Sequence, residues 1–460
     1  MKIRLQILLL FQNISNMLQP ILFAIIVLVV FGFAGKKYLQ IYKNIKLGKD
    51  FEIKGDVGQR IKNVLLIAFG QKKMFKDLLP AVLHLFIYSA FLVTQIELIE
   101  IFIDGFSGNH RVLFHLFENN GFLHGLYVFV ISFIEFLSVL AFVATIIFLA
   151  RRNLLKVPRL VRSEMNGWPK LDANIILFIE LFLITCIFMM NGADEVKHLK
   201  ATGESYGFLL SQFVGPAFFG NLSDTALVVI ERIGWWGHIL GVLTFIVYLP
   251  FSKHLHIILA FPNVYFSSLK PAGYLANMDV VTKEIKLMMN PDTAFAAPAE
   301  GEEAEIPSFG AKDIQELSWK NILEAYTCTE CGRCTEQCPA AITGKKLSPR
   351  KIMMDVRDRT EEVAFNIRKN GSFVDDGKSL ISDEYISVEE LRACTTCNAC
   401  VEACPVTIKP LDIIMELRRN LILEQSNSPE EWNGMFANIE NNGAPWQFSQ
   451  QDRANWISEE

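Results

Sequence analysis

Cys328-Thr329-Glu330-Cys331-Gly332-Arg333-Cys334-Thr335-Glu336-Gln337-Cys338-Pro339 is followed, after a spacer, by Cys394-Thr395-Thr396-Cys397-Asn398-Ala399-Cys400-Val401-Glu402-Ala403-Cys404-Pro405. Both stretches read C-x2-C-x2-C-x3-C-P, the run that holds a cubane [4Fe-4S] cluster. Together they use eight of the nine cysteines. The spacing lets one loop carry three thiolates to three irons, while the fourth cysteine, turned away by its proline, reaches the neighbouring cluster. The expected chemistry is electron transfer.

If the motifs cross over in this way, one cluster takes Cys328, Cys331, Cys334 and Cys404, and the other takes Cys394, Cys397, Cys400 and Cys338. A zinc site would use four ligands in two C-x-x-C pairs, not eight in two identical quartets. Disulfides need an oxidising compartment, which the charge pattern below does not give this region.

Outward from the cysteines the composition splits the chain. With 51% hydrophobic and 20% charged residues over 460 positions, it is too apolar to be wholly soluble and too charged to be wholly embedded. Crossing a bilayer takes about 20 apolar residues. Five stretches qualify, at 18–35, 79–103, 122–150, 172–191 and 234–260, the fifth broken near Pro250. The first runs straight into Lys36 and Lys37 and reads as a retained helix rather than a cleaved signal. Lys and Arg collect in cytoplasmic loops. Eleven lie from Lys36 to Lys76 and six from Arg151 to Lys170, whereas the 104–121 loop has only Arg111 and the 192–233 loop only Lys197, Lys200 and Arg232. A multi-pass protein of the cytoplasmic (inner) membrane is expected, its N-terminus outside and its iron-sulfur domain in the cytosol. The net charge of −5 says nothing about partners, and no nucleic-acid partner is expected.

Imidazoles in hydrocarbon need a partner or a metal. His84 opens the second span, His238 lies at the outer end of the fifth and His256 at its inner end. Eighteen residues of unbroken helix would put His238 and His256 on one face, about 27 Å apart along the axis. His254 would then be rotated about 160° from that face, although Pro250 can shift the register. His110, His115 and His198 read as surface histidines of the outer loops, and Cys186 as a small core residue. Of the carboxyls within spans, Glu97, Glu100, Glu135 and Glu180, a functional reading makes Glu97 or Glu135 part of a proton path to a quinone. The competing reading is a neutral carboxyl bonded to another helix.

On these residues the membrane half resembles the cytochrome b subunit of respiratory nitrate reductase, a five-helix protein with two b haems between its second and fifth helices. Phe69-Gly70-Gln71-Lys72-Lys73-Met74 and Ser252-Lys253-His254-Leu255-His256 look like strings of its fused relatives. The C-terminal half is similar to the iron-sulfur subunit of heterodisulfide reductase, in Cys331-Gly332-Arg333-Cys334 and Thr343-Gly344-Lys345. The chain is thus identified as a membrane-bound, heterodisulfide-reductase-related iron-sulfur oxidoreductase. The resemblance implies one or two b-type haems: the inner one on His84 and His256, the outer one on His238. Where the family has a second histidine on helix two this chain has Thr94; His124, which opens the third span on the outer side at the depth of His238, is the candidate replacement ligand, the competing reading being a residue hydrogen-bonded at the membrane interface.

The expected fold is mainly α: a five-helix transmembrane bundle, cytochrome b-like, over 1–265; a connector and linker over 266–310, rich in Ala, Glu and Pro between Asn290 and Gly310; an α-helical two-cluster ferredoxin domain over 311–425, opening on a helix near 311–326; and a tail over 426–460 for partner docking. Neither a paired-cysteine CCG motif nor a G-x-G-x-x-G fingerprint occurs. The catalytic site for a soluble substrate is therefore expected on a separate cytosolic CCG-domain iron-sulfur oxidoreductase subunit. The expected function is a membrane electron-transfer subunit between the quinone pool and that partner, through haem and two [4Fe-4S] clusters. The alternative is a haem-poor membrane anchor for a ferredoxin-type domain and its partners.

Overall fold

The computed structural model describes residues 2–271, 273–290 and 308–458. The linker prolines Pro291, Pro298 and Pro307 lie outside the described residues. Among the described residues five helices are long and apolar enough to cross a membrane: Leu18–Ile45, Leu78–Ser107, Gly121–Asn153, Trp168–Thr202 and Asp224–Phe251. The first is the C-terminal part of α1 (Lys2–Ile45); the next three are α2, α3 and α4. The fifth is α5 (Asp224–Tyr248) with one 3-10 turn added. Their ends are chemically marked. Asn120 accepts from the Phe122 and Leu123 amides and Ser223 from that of Ala226, so orphan N–H groups at the starts of α3 and α5 are satisfied.

The helices form a closed ring in the order α1, α2, α3, α4, α5 and back to α1, with α4 against α5 the broadest contact. The fifth helix does not run on to His256. It turns 3-10 at Leu249–Phe251, goes extended at Ser252 (φ −121°, ψ 151°), makes a second 3-10 turn at Lys253–Leu255 and restarts as α6 (His256–Tyr265). Proline has no N–H to donate and its ring crowds the preceding turn. The expectation that His238 and His256 share one face of a continuous helix is therefore overturned.

The C-terminal half is helical too, and among the described residues there are only isolated bridges and no strand. Its first helix, α7 (Trp319–Thr327), starts later than the expected 311–326, because Ser318 and Asn321 form a reciprocal capping box there. The long spacer between the motifs is built on α8 (Pro349–Asn370). After the second motif comes α9 (Pro410–Arg419), which buries Leu411, Ile413, Ile414 and Leu417. These faces converge with Ile352, Val356, Val363 and Leu391 on one core.

The halves are seated on each other. Ile41 and Ile45 of α1 and Leu255 pack with Ile322, Leu323 and Tyr326 of α7. Beside them Lys49 exchanges backbone hydrogen bonds with Leu317 and Trp319, at 2.8 and 3.0 Å. The approach is so close that a Cβ on Gly48 would lie 2.6 Å from the Trp319 nitrogen.

Candidate cluster and histidine sites

Both cysteine loops follow a helix end, and both bend the same way. Glu330 (φ 53°) and Gly332 (φ 76°) in the first, and Thr396 (φ 57°) and Asn398 (φ 62°) in the second, all take left-handed backbone. These are the second and fourth positions after the leading cysteine in each copy. The kinks curl the chain so that thiols spaced three apart converge. Cys328, Cys331, Cys334 and, from the other motif, Cys404 line one cavity, with Arg350 and Met353 in its wall. Cys338, Cys394, Cys397 and Cys400 lie within electrostatic reach of one another. The structure thus gathers the cysteines into the two crossed quartets. Two sulfurs already accept backbone N–H groups, Cys394 from Thr396 at 3.4 Å and Cys404 from Ile408 at 3.3 Å.

Burial pushes the Cys328 and Cys400 thiols up to about 12 and Cys404 to about 11. Left alone they stay protonated at neutral pH. Iron would supply the charge that holds them as thiolates, and thiols dry enough to need it are what a cluster site presents. The quartets are not equally covered: Cys328 and Cys404 are buried, whereas Cys397 is exposed.

The first loop faces the membrane half. Glu330, 3% exposed, pairs with the Lys253 ammonium and with Arg357 at 2.7 Å. Burial pulls its carboxyl up, but these two cations outweigh that and hold it below the usual carboxylate range. Lys253 also donates to the Pro169 carbonyl at 2.7 Å, and its backbone N–H to Asp172 at 3.2 Å. From the loop before α2, Lys73 reaches the Val401 carbonyl and Lys76 pairs with Glu402, so the second motif is also held.

Lys253 belongs to the histidine segment as well. Its carbonyl lies 3.0 Å from His256 Nδ1. A carbonyl only accepts, so Nδ1 carries the proton and Nε2 keeps its lone pair. The same holds for His238, whose Nδ1 faces the Leu183 carbonyl at 3.2 Å, and for His84, whose Nδ1 faces Gln71 Oε1 at 3.1 Å. Histidines that bind metal are usually oriented by such a bond, so each of these three has an Nε2 that could take a ligand. His254 packs its ring 5.3 Å from that of His256 and has no partner for Nδ1. Burial, with His256, His84 and Lys253 close by, holds it neutral, well below the usual histidine range. His84, His254 and His256 therefore form one group at the end of the bundle nearest the cysteines.

His124 is placed differently. It packs against Phe114, with ring centroids 5.2 Å apart, its Nδ1 is buried without a partner, and no contact joins it to His238 among the described residues. Thr94 bonds its own helix at the Phe91 carbonyl.

The far end of the bundle holds what the sequence reading missed. Arg111 is 3% exposed. It pairs with Asp194 and donates to Asn191 Oδ1 at 2.7 Å and to the Tyr127 hydroxyl at 3.1 Å. Tyr127 in turn donates to Glu100 at 2.8 Å, and Asn191 to Glu97 at 3.2 Å. His110, read from sequence as a surface residue, joins this network through Asp194 at 2.9 Å. His198 stacks on Tyr206 at 3.9 Å. The one arginine of the 104–121 loop, which otherwise holds only the acids Asp104 and Glu118 as charged groups, was the available signal. Glu135 accepts the Leu210 and Ser211 amides and the Ser211 hydroxyl, a carboxylate fully used in anchoring the helix Ser211–Phe219.

Residues 327–408 match the family model described as a 4Fe-4S dicluster domain. The chain is 29% identical to a probable iron-sulfur-binding oxidoreductase, FadF, of Bacillus subtilis, over 95% of this chain and 61% of that protein. It is 27% identical to the EtfAB:quinone oxidoreductase of Syntrophomonas wolfei, over 88% and 54%. Its homologues are iron-sulfur oxidoreductases. Over 32% of the chain it is also 27% identical to one component of the dihydromethanophenazine:CoB–CoM heterodisulfide reductase of Methanosarcina mazei, covering 36% of that polypeptide. The likeness to heterodisulfide-reductase-related iron-sulfur oxidoreductases and the mainly α architecture with a C-terminal dicluster domain thus stand. The chain spans about three-fifths or less of the length of the first two relatives. No solved structure matches it.

Proposed function

We propose that this iron-sulfur oxidoreductase homologue passes electrons between the membrane quinone pool and a cytosolic redox partner, with two [4Fe-4S] clusters and b-type haem as its carriers. The observation that carries the reading is the unbroken link from His256 through Lys253 to Glu330, next to Cys331: a histidine group and a cysteine cavity fixed against each other across the two halves. Likeness to a protein named for quinone supports the membrane substrate.

In this reading Cys328, Cys331, Cys334 and Cys404 hold one cluster and Cys394, Cys397, Cys400 and Cys338 the other. His84 and His256 offer Nε2 to the inner haem, and His238, with His124, to an outer one. When bound, these groups supply one-electron chemistry. The protein's own part is to fix the ligands: Gln71 and the Lys253 and Leu183 carbonyls orient the imidazoles, and the Lys253–Glu330 pair keeps the first cluster loop against them. The partner is a separate CCG-type iron-sulfur protein, which docks on the iron-sulfur half or the 426–460 tail in the cytosol. The exposed Cys397 loop is the place for electrons to leave.

The test is a dithionite-reduced minus oxidised visible spectrum of the purified protein, with haem, iron and sulfide counted per chain. About eight irons are expected, and b-haem bands that lose the inner haem's share in His84→Ala or His256→Ala. Irons without any b band would leave a membrane-anchored ferredoxin domain instead.

A further inference from the structure

The two cysteine sites differ in the cation beside them. Arg350 is 0% exposed and lines the cavity of Cys328, Cys331, Cys334 and Cys404. The tip of its guanidinium is anchored: Nη1 donates to the Arg159 carbonyl at 2.6 Å, and Nη2 to Glu164 at 2.7 Å. Its Nε is buried and has no hydrogen-bond partner. Gly332 makes room for it, since a Cβ there would lie 2.5 Å from Nη1. At the other quartet the neighbouring cation is Arg418. Its Nε donates to the Leu391 carbonyl at 2.7 Å and its Nη2 to the carbonyls of Arg392 and Cys394. Arg418 has spent these donors on backbone, whereas Arg350 keeps one unused in a dry wall lined by four thiols.

A buried N–H without an acceptor is rare in a folded protein and calls for a missing partner. The cluster reading of these cysteines, on which this inference rests, supplies one. We propose that Arg350 Nε–H donates a hydrogen bond to sulfur at the cluster held by Cys328, Cys331, Cys334 and Cys404, and thereby sets that cluster at a higher reduction potential than its neighbour. Reduction adds one negative charge to the cluster. A charged donor in its wall stabilises the reduced form more than the oxidised one, and hydrogen bonds to sulfur and local charge are the levers that tune such potentials. Glu164, paired with Nη2 of the same guanidinium, tempers the effect. The cluster nearest the membrane half then holds the electron in preference to the exposed one.

The experiment is an EPR-monitored redox titration of the full-length purified protein, with iron counted and the two signals assigned through Cys397→Ser. Arg350→Met should lower the potential of the first cluster and leave the second in place; Arg350→Lys, which keeps the charge, should lower it less. Glu164→Gln should move the same cluster the opposite way, upward, and it keeps the test alive if Arg350→Met fails to fold. With eight irons retained, unchanged potentials in Arg350→Met and Glu164→Gln, or equal shifts of both clusters, would overturn the proposal. A wild-type protein without cluster iron would instead overturn the reading of the cysteines beneath it.

Discussion

The two ends of the helical ring spend their buried polar groups in opposite ways. At the far end Arg111, Asp194, Asn191, Tyr127 and Glu100 are consumed by one another. At the end nearest the cysteines His84 and His256 each have one nitrogen fixed and the other left free. Closed networks lock helices; an imidazole with one nitrogen fixed can still take a ligand on the other. The contrast separates groups that are used up in holding the bundle from groups that could bind.

The hardest way to strike that contrast is Arg111→Met. It strands Asp194, 2% exposed, as a buried carboxylate with only His110 and Lys197 near it. Losing one partner of a buried pair costs about 3–5 kcal/mol, so a large fall in the unfolding temperature in detergent is expected, with iron content and b-band position unchanged in what remains folded. Lys253→Met, at the other end, leaves Glu330 still paired with Arg357. About 1–3 kcal/mol is expected from the unmet hydrogen bonds, but electron transfer between haem and the first cluster, followed by stopped-flow, should slow well beyond what the stability loss explains. Glu135→Gln weakens the acceptor for two amides and a hydroxyl, worth about 1–2 kcal/mol. Quinol turnover should be unaffected, because that carboxylate is an anchor. Glu97→Gln is the mildest. Its Oε2 is buried and unpartnered, and the amide keeps the one oxygen that Asn191 uses. Thermal stability should change by less than about 1 kcal/mol, so a lost turnover there would single out Glu97 as the proton-handling group.

Much of the fold was legible because it is written locally. Cysteine spacing and apolar length specify loops and spans within a few dozen residues, whereas the crossing of the quartets is a condition that the repeat alone does not set. What escaped was long-range or broken. Lys253 and Glu330 are 77 positions apart and Arg111 and Asp194 are 83 apart, and no periodicity links them. His110 looked like a surface residue because it lies in a loop and its partner, Asp194, comes from the distant helix α4. The His238–His256 spacing misled for a different reason: a count of eighteen presumes continuous helix, and Ser252 interrupts it. Glu330 and Gly332 share their backbone shape with Thr396 and Asn398, yet the first motif meets the membrane half through Glu330 and the second through Val401 and Glu402, so one motif is docked in two ways.

The seam at Lys49 has a practical corollary. Its two backbone bonds to Leu317 and Trp319, and the apolar contact of Ile41 and Ile45 with α7, join the halves by a route that does not pass through the 266–310 connector. A protease that nicks the connector should therefore yield two fragments on a denaturing gel that still co-elute from a sizing column, and the halves expressed as separate genes should find each other.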